Sequence, residues 1–317
     1  MYGLKSDCVL DQAARYFTLE DYAGAVPRWC PGCGDHAVLT AVQRVCRDEQ
    51  LPPEKTVFVS GIGCSSRLPH YMSTYGFHGL HGRALPVACG IRARRPDLNI
   101  FVTTGDGDCT SIGAGHWVHA IHYNMKLVVM LLDNNVYGLT KNQTSPTSLK
   151  GRRTNTHPRG AFLEPINPVQ ATLGITNVSF VAQTVDWNPP HLLATLSAAH
   201  RHPGLAFVRV LQRCPHYPEA ELDMLRSEPW RVLLLTHPDG IELEESATRM
   251  FRNQQEHDPS DLDAARLVAA HAESVPIGIF YRNESADHYD AATAQGLATG
   301  RADKLAVLQS VLHSYRV

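Results

Sequence analysis

The chain lacks a charge excess of either sign: its 317 residues carry 29 lysines and arginines against 31 aspartates and glutamates, a formal net charge of −2. Proteins that hold nucleic acid by its phosphates display a marked basic surplus, so no nucleic-acid partner is expected. It also lacks any apolar run near the ~20 residues needed to cross a bilayer, and no membrane partner is expected either. The opening stretch MYGLKSDCVLDQAARYFTLEDYAG is too charged for a signal peptide, which predicts a cytoplasmic location. Internal repeats and low-complexity linkers are missing too, so organisation must be read from strand and turn signals. What is present suits a folded enzyme-sized protein: 44% apolar residues can furnish a proper core at this length. Eight cysteines in a reducing compartment do not make a disulfide framework, and any that cluster read as metal or redox ligands.

Three runs share one pattern, an apolar strand that stops at glycine or polar residues: KTVFVSGIG (55–63), NIFVTTGDGD (99–108) and KLVVMLLDNN (126–135). Between the last two, SIGAGHWVHAIHYNM (111–125) is long enough for one crossover helix, which makes 99–135 a βαβ unit. SFVAQT (179–184), HLLATLSAAHRH (191–202) and LAFVRVLQ (205–212) continue the alternation. The pattern predicts a doubly wound α/β domain with a mainly parallel sheet over 28–217, after an N-terminal arm at 1–27. Residues 218–317 turn charged and helix-like before one more apolar run, VPIGIFYRNES (275–285), and read as an extension wrapped on a partner or on the core.

Ligands of open α/β sheets sit at the carboxyl ends of the strands, and chemistry gathers there. In GDGD (105–108) the glycines let backbone N–H groups approach an oxyanion, and Asp106 offers a hard oxygen to a divalent cation. Asn134 follows 28 positions later (134 minus 106), the span of one helix and one strand, so both side chains can reach one ion, with the Val136 carbonyl as a third ligand. A magnesium-bound diphosphate fits that set. Alone, GDGD reads equally as a tight turn and DNN as an Asx turn; together, at this spacing, they resemble the thiamine diphosphate-binding motif.

CPGCG (30–34), GIGCSSR (61–67), LHGRALPVACGIRARRPDL (80–98), GDGD, IGAGHWVHAI (112–121), DNNVYGLTKNQTSPT (133–147) and RCPHY (213–217) extend the likeness. In this order they resemble the β subunits of 2-oxoacid:ferredoxin oxidoreductases across most of 28–217, and their wording is more similar to the 2-oxoglutarate type than to the pyruvate type. The resemblance implies a fold of the thiamine diphosphate-binding type. It also implies a [4Fe–4S] cluster on Cys30, Cys33, Cys64 and Cys214, beside thiamine diphosphate and Mg2+ held by Asp106, Asn134 and Val136. Four thiolates serve a tetrahedral structural zinc as well as a cluster, and spacing does not separate the two. Cys64, in a strand-end turn beside the cofactor pocket, tilts the reading toward a redox cluster. Cys8, Cys46, Cys89 and Cys109 read as packing residues.

By the same resemblance Ile62, Gly63, Cys64 and Ser65, then His81, Gly82, Arg83 and Ala84, line the cofactor. Gly107 and Asp108 lie beneath its diphosphate, and Gly138 and Leu139 near its reactive end. His81 reads equally as a structural group. Arg67 offers a fork to a substrate carboxylate, or is a surface arginine. The Lys141–Thr147 loop either closes over the site or connects, and the basic run at 150–153 with Arg159 reads as a solvated loop. Cys89 and the Lys141–Gln143 stretch depart from the family's usual wording, which weakens inferences about the substrate loop.

The implied reaction is coenzyme A-dependent oxidative decarboxylation of a 2-oxoacid, or its reductive reverse. Electrons left when carbon dioxide departs pass through the cluster to a ferredoxin. No glutamate here is placed by a motif to activate the cofactor ring, and in the family that residue comes from the α subunit. The chain is therefore expected to be half of an active site within a heterotetramer. Rival readings are a pyruvate or broad 2-oxoacid enzyme, a non-redox thiamine diphosphate enzyme with a structural zinc, and a zinc-stabilised binding protein in which GDGD is only a turn.

Overall fold

Why the strands are buried follows from one of them. In LVVMLLD every second side chain serves one face: Leu127, Val129 and Leu131 join one core, while Val128, Met130 and Leu132 join another on the opposite side. A strand apolar on both faces needs helices above and below it. The computed structural model, which describes residues 16–218, 220–238, 240–241, 243, 248–270, 273–294 and 301–315, supplies them. Cys8 and the first fifteen residues of the expected arm lie outside the described residues.

The strands are β1 (Thr56–Ser60), β2 (Tyr75–His78), β3 (Asn99–Gly105), β4 (Leu127–Asp133), β5 (Phe180–Val185), β6 (Leu205–Leu211), β7 (Val232–Thr236), β8 (Asn253–Glu256) and β9 (Val275–Arg282). They make one sheet in the order β2-β1-β3-β4-β6-β5-β9-β7-β8, and every neighbouring pair is parallel except β5 with β9. The helices are α1 (Asp35–Asp48), α2 (Ala84–Arg94), α3 (Ala114–Tyr123), α4 (Pro168–Leu173), α5 (Pro189–Arg201), α6 (Ala220–Ser227), α7 (Leu262–Ala269), α8 (Tyr289–Ala294) and α9 (Arg301–Ser314). Local chemistry sets their ends. The Asn188 side chain accepts the His191 N–H ahead of the Pro189–Pro190 start of α5, and α3 stops at Asn124, whose φ of 49° is left-handed. The α/β class with a mainly parallel sheet is as the sequence predicts, and β3–α3–β4 is the expected βαβ unit.

Three strands lie outside the sequence reading. β2 and β8 are exposed edge strands, and β7 pairs with both β8 and β9. Residues after 217 do not hang free, because β9 adds to β5 and a third core joins Val185 and Leu211 to Leu225, Val232, Leu234 and Ile277. Among the described residues no helix is long and apolar enough to cross a membrane. Parallel register matters most for function: Gly105 faces Leu132 and Asp133 faces Leu211, so the ends of β3, β4 and β6 meet at one edge of the sheet.

Candidate functional site

At that edge lies a cavity of about 460 Å³. It is lined by Ile62, Gly63, Cys64, Ser65 and His81, by Gly105 to Asp108, by Leu132, Asn134 and Val136 to Thr140, and by Gln143 and Gln212. Sequence-distant motifs thus reach one space because each follows a neighbouring parallel strand. Gly63 has φ 130°, a conformation open to glycine and strained for other residues, which lets the turn after β1 reach the cavity.

GDGD is more than a turn. The chain leaves β3 through Asp106 and Gly107 into a π-helical turn, Asp108–Ile112, that runs on into α3. A Cβ at Gly107 would stand 2.2 Å from the Tyr137 ring, whose hydroxyl donates to the Gly107 carbonyl at 3.0 Å. Only glycine fits there, and its backbone is held against the cavity. Asp106 is buried, and the Thr147 hydroxyl lies 2.8 Å from both Asp106 Oδ2 and Asp133 Oδ1. Arg209 pairs with Asp133 Oδ2 through Nε at 2.8 Å and Nη2 at 2.6 Å. Burial first, and then the Asp133 charge, push the Asp106 carboxyl up to about 7. Among the described residues no Lys, Arg or His pairs with Asp106. A buried carboxylate beside a second one, with an Asn amide and a backbone carbonyl on the same wall, is a hard-oxygen donor set that suits magnesium.

Asp108 plays a part that spacing alone does not suggest. Its Oδ1 accepts from Ile62 N at 3.2 Å, Gly82 N at 2.7 Å and His81 Nδ1 at 2.6 Å, and its Oδ2 accepts from the Thr104 hydroxyl at 2.7 Å. The carboxylate is the knot that ties the β1 turn and the His81–Gly82 turn to the start of the helix. Gly61 answers to the same knot, since a Cβ there would sit 2.1 Å from Asp108 Oδ2.

Cys64 lines the cavity, and the charges of Cys30 and Cys214 reach its thiol. Gly34 N donates to the Arg213 carbonyl at 3.1 Å, which docks the CPGC turn on the residue before Cys214. The Trp29 indole N–H donates to the Cys64 carbonyl at 2.8 Å, and a Cβ at Gly138 would be 3.7 Å from Cys214 Sγ. Cys30 is exposed, while Cys33, Cys64 and Cys214 are half-buried. Burial, then the negative charges of Asp35, Cys214 and Cys30, push the Cys64 thiol up to about 12, and burial with Asp35 raises Cys33 as well. Among the described residues no three His, Cys, Asp or Glu side chains form a group tight enough to hold a metal ion. Four thiols of this kind fit a cluster or a tetrahedral zinc alike. Cys46 and Cys109 are buried among apolar side chains, and Cys89 packs against the core, as packing residues do.

Other sequence candidates stand elsewhere. Gly82, Arg83 and Ala84 do not line the cavity: Gly82 serves the Asp108 knot, Arg83 is exposed and Ala84 is buried at the start of α2. Arg67 lies outside it too. Its Nε donates to the Tyr71 hydroxyl at 3.0 Å, beside a surface hollow shared with Arg28 and His70, and its charge favours the Cys64 thiolate. Thr140 and Gln143 line the cavity, while Thr147 lies beneath it. In the basic run Lys150 and Arg153 are exposed, as is Arg159, while the half-buried Arg152 donates to the Asn135 carbonyl at 2.9 Å and the Tyr217 carbonyl at 3.2 Å. Arg209 and Gln212 belong to no motif, and although Asp133 and Thr147 bound the 133–147 stretch, only their contacts reveal what they do.

Comparisons with known proteins show what the chain is similar to. The family model described as thiamine pyrophosphate enzyme, C-terminal TPP binding domain, matches residues 61–210, and a model of the C-terminal part of the pyruvate ferredoxin oxidoreductase beta chain matches residues 247–296. Over 313 aligned residues the chain is 38% identical to the 2-oxoglutarate oxidoreductase subunit KorB of Mycobacterium tuberculosis, covering 90% of this chain and 84% of that protein. It is 37% identical to the 2-oxoacid:ferredoxin oxidoreductase subunit beta of Saccharolobus solfataricus, with 84% and 85% covered. A chain of the 2-oxoglutarate:ferredoxin oxidoreductase from Magnetococcus marinus, solved with 2-oxoglutarate, coenzyme A and succinyl-CoA bound, superposes with a TM-score of 0.78 at 33% identity, covering 92% of this chain and 96% of that one.

Proposed function

The chain belongs to the family of 2-oxoacid:ferredoxin oxidoreductase β subunits, and from that premise we propose that it serves a 2-oxoglutarate:ferredoxin oxidoreductase, holding Mg2+ and a [4Fe–4S] cluster beside thiamine diphosphate. The reaction is coenzyme A-dependent oxidative decarboxylation, or its reverse. One observation carries the reading: Cys64 lines the cavity while its thiol also feels Cys30 and Cys214, so one residue stands both in the cavity and among the motif cysteines. Bound together, thiamine diphosphate supplies a sink for the electron pair left by carbon dioxide, and a cluster supplies a one-electron outlet.

The protein's own part is positioning. Asp106, Asn134 and Val136 would hold magnesium; the Gly107 backbone, at the start of a helix, would face the diphosphate; and the Asp108 knot would keep Ile62 to Ser65 against the cofactor. Cys30, Cys33, Cys64 and Cys214 would hold the cluster. Among the described residues lining the cavity, His81 is the one cationic candidate. The distal carboxylate of 2-oxoglutarate must therefore be read chiefly by the α subunit, which also supplies the carboxylate that activates the cofactor. The relatives named for 2-oxoglutarate support that substrate, and the one named simply for 2-oxoacids keeps pyruvate and branched 2-oxoacids as the second reading. We place the enzyme in the cytoplasm, where free thiols persist.

The test is co-purification with the α subunit under anaerobic conditions, followed by assay of ferredoxin reduction with coenzyme A and 2-oxoglutarate, pyruvate or branched 2-oxoacids. The pair should prefer 2-oxoglutarate and the isolated chain should turn over none of them. Activity without coenzyme A or acceptor, or robust activity of the isolated chain, would overturn the reading.

A further inference from the structure

Gln212, the first residue after β6, lines the cavity and touches Cys33. Its backbone N–H donates to the Asp133 carbonyl at 2.9 Å, and its side chain is 1% exposed. That side chain makes three contacts: Nε2 to the Arg213 carbonyl at 2.7 Å, Nε2 to Cys33 Sγ at 3.2 Å, and Oε1 to Asn134 Nδ2 at 2.9 Å. Their direction is forced. A carbonyl can only accept, so the nitrogen end of Gln212 must face Arg213, and the same NH2 then donates to the sulfur. The oxygen end is left for Asn134, which must answer with its own NH2. Asn134 Oδ1 is thereby turned the other way, where among the described residues it accepts only the long 3.3 Å bond from Val136 N and keeps a lone pair for a cation.

We propose that Gln212 is a positioning residue for both cofactors at once, aiming Asn134 Oδ1 at magnesium and donating an N–H···S bond to a cluster thiolate at Cys33. The proposal rests on the reading of Asn134 and Cys33 as ligands. An N–H donor at a thiolate stabilises negative charge on sulfur, and the reduced cluster carries one electron more than the oxidised one. The bond therefore favours the reduced state and raises the cluster's potential, easing electron removal from the cavity side. On the other arm, a free Asn134 amide could present either end to the cation, and only the oxygen end binds. Supporting partners of metal ligands change metal affinity by roughly 10–100-fold when removed.

Two substitutions separate the arms. Gln212→Leu removes all three side-chain contacts, whereas Gln212→Glu keeps an oxygen for Asn134 and loses the donor to Cys33 and to the Arg213 carbonyl. The holoenzyme with its partner subunit would be prepared anaerobically in all three forms and measured for iron and acid-labile sulfide. The cluster potential would come from a redox titration followed by electron paramagnetic resonance, and the magnesium dependence of thiamine diphosphate binding from calorimetry. The calorimetry would be repeated on cluster-free protein, so that a variant deficient in iron still reports on the Asn134 arm. The potential should fall in both variants. The magnesium needed for half-maximal binding should rise about tenfold or more in Gln212→Leu and stay within about threefold of wild type in Gln212→Glu. A Gln212→Leu enzyme with wild-type potential, or with wild-type magnesium dependence, overturns the proposal, as does an equal magnesium defect in both variants. Wild-type protein without iron would instead sink the cluster reading of the preceding section, a distinct result.

Discussion

Asp108→Ala tests whether one carboxylate organises the cavity. The side chain accepts four hydrogen bonds, from Ile62 N at 3.2 Å, Gly82 N at 2.7 Å, His81 Nδ1 at 2.6 Å and Thr104 Oγ1 at 2.7 Å. Hydrogen bonds to a charged group are worth roughly 1.5–3 kcal/mol each, but four bonds to one carboxylate relax together, so their sum is an upper bound. The expected loss is about 5 kcal/mol, because two backbone N–H groups are left facing a void. At roughly 2–4 °C per kcal/mol for a domain of this size, the melting temperature should fall by about 10–20 °C. Asp108→Asn keeps an oxygen for the three Oδ1 donors, and its NH2 can donate to a rotated Thr104 hydroxyl, so it should lose only about 1–2 kcal/mol. Scanning calorimetry of the holoenzyme gives the stabilities, and isothermal titration with thiamine diphosphate and magnesium gives the affinity. Affinity should fall in the same order, because the Gly61–Ser65 and His81–Gly82 turns lose their anchor. Equal stability of the two variants, or an alanine variant within about 1 kcal/mol of wild type, would refute the reasoning.

Asp106→Ala should abolish magnesium-dependent retention of thiamine diphosphate while leaving the visible spectrum of the cluster intact; undiminished binding by calorimetry would reject Asp106 as the anionic ligand. Gly107→Ala would set a methyl 2.2 Å from the Tyr137 ring, so the ring must move and its bond to the Gly107 carbonyl must go. An overpacking loss of roughly 1–3 kcal/mol with weaker cofactor binding is expected, and an unchanged melting temperature would contradict the packing argument. His191 and His202 are buried and pushed down to about 3 by desolvation. Their contribution to stability is intact above the ordinary histidine range and is lost as pH falls below about 6.5, at about 2 kcal/mol each by pH 5. Asp35, Asp106 and Asp186, raised to about 7, 7 and 6, act with the opposite sign in that window, so the informative quantity is a difference. The melting temperature of His202→Gln should fall less than that of wild type between pH 7 and pH 5, and parallel curves would remove His202 from the account.

Legibility in the sequence tracks how much of each feature lies in side-chain pattern. β3, β4 and β6 are visible because both faces are apolar, as Leu127 to Leu132 illustrate. β8, NQQE, has no apolar residue and exists by backbone pairing with β7, and β2 is an exposed edge whose aromatic residues show no buried face. Asp106 and Asn134 were legible from spacing, since one helix and one strand separate them. Asp108 was legible as part of GDGD but not in its task, because its four partners are scattered between Ile62 and Thr104. Gln212 and Thr147 are common polar residues whose importance is wholly a matter of what they touch. The position of Arg67 was likewise not legible: adjacency to GCSS brings it near Cys64, but the 3₁₀ turn Ser65–Tyr71 carries it to the Tyr71 side, outside the cavity lining.

The most direct test of the account is the metal content of anaerobically purified chain. Cys30, Cys33, Cys64 and Cys214 acting as cluster ligands predict brown protein with about four irons and four acid-labile sulfides per chain, bleaching on reduction by dithionite, and loss of iron in Cys214→Ala but not in Cys46→Ala. Stoichiometric zinc with no iron, in colourless protein, would contradict both the cluster and the electron transfer assigned to it.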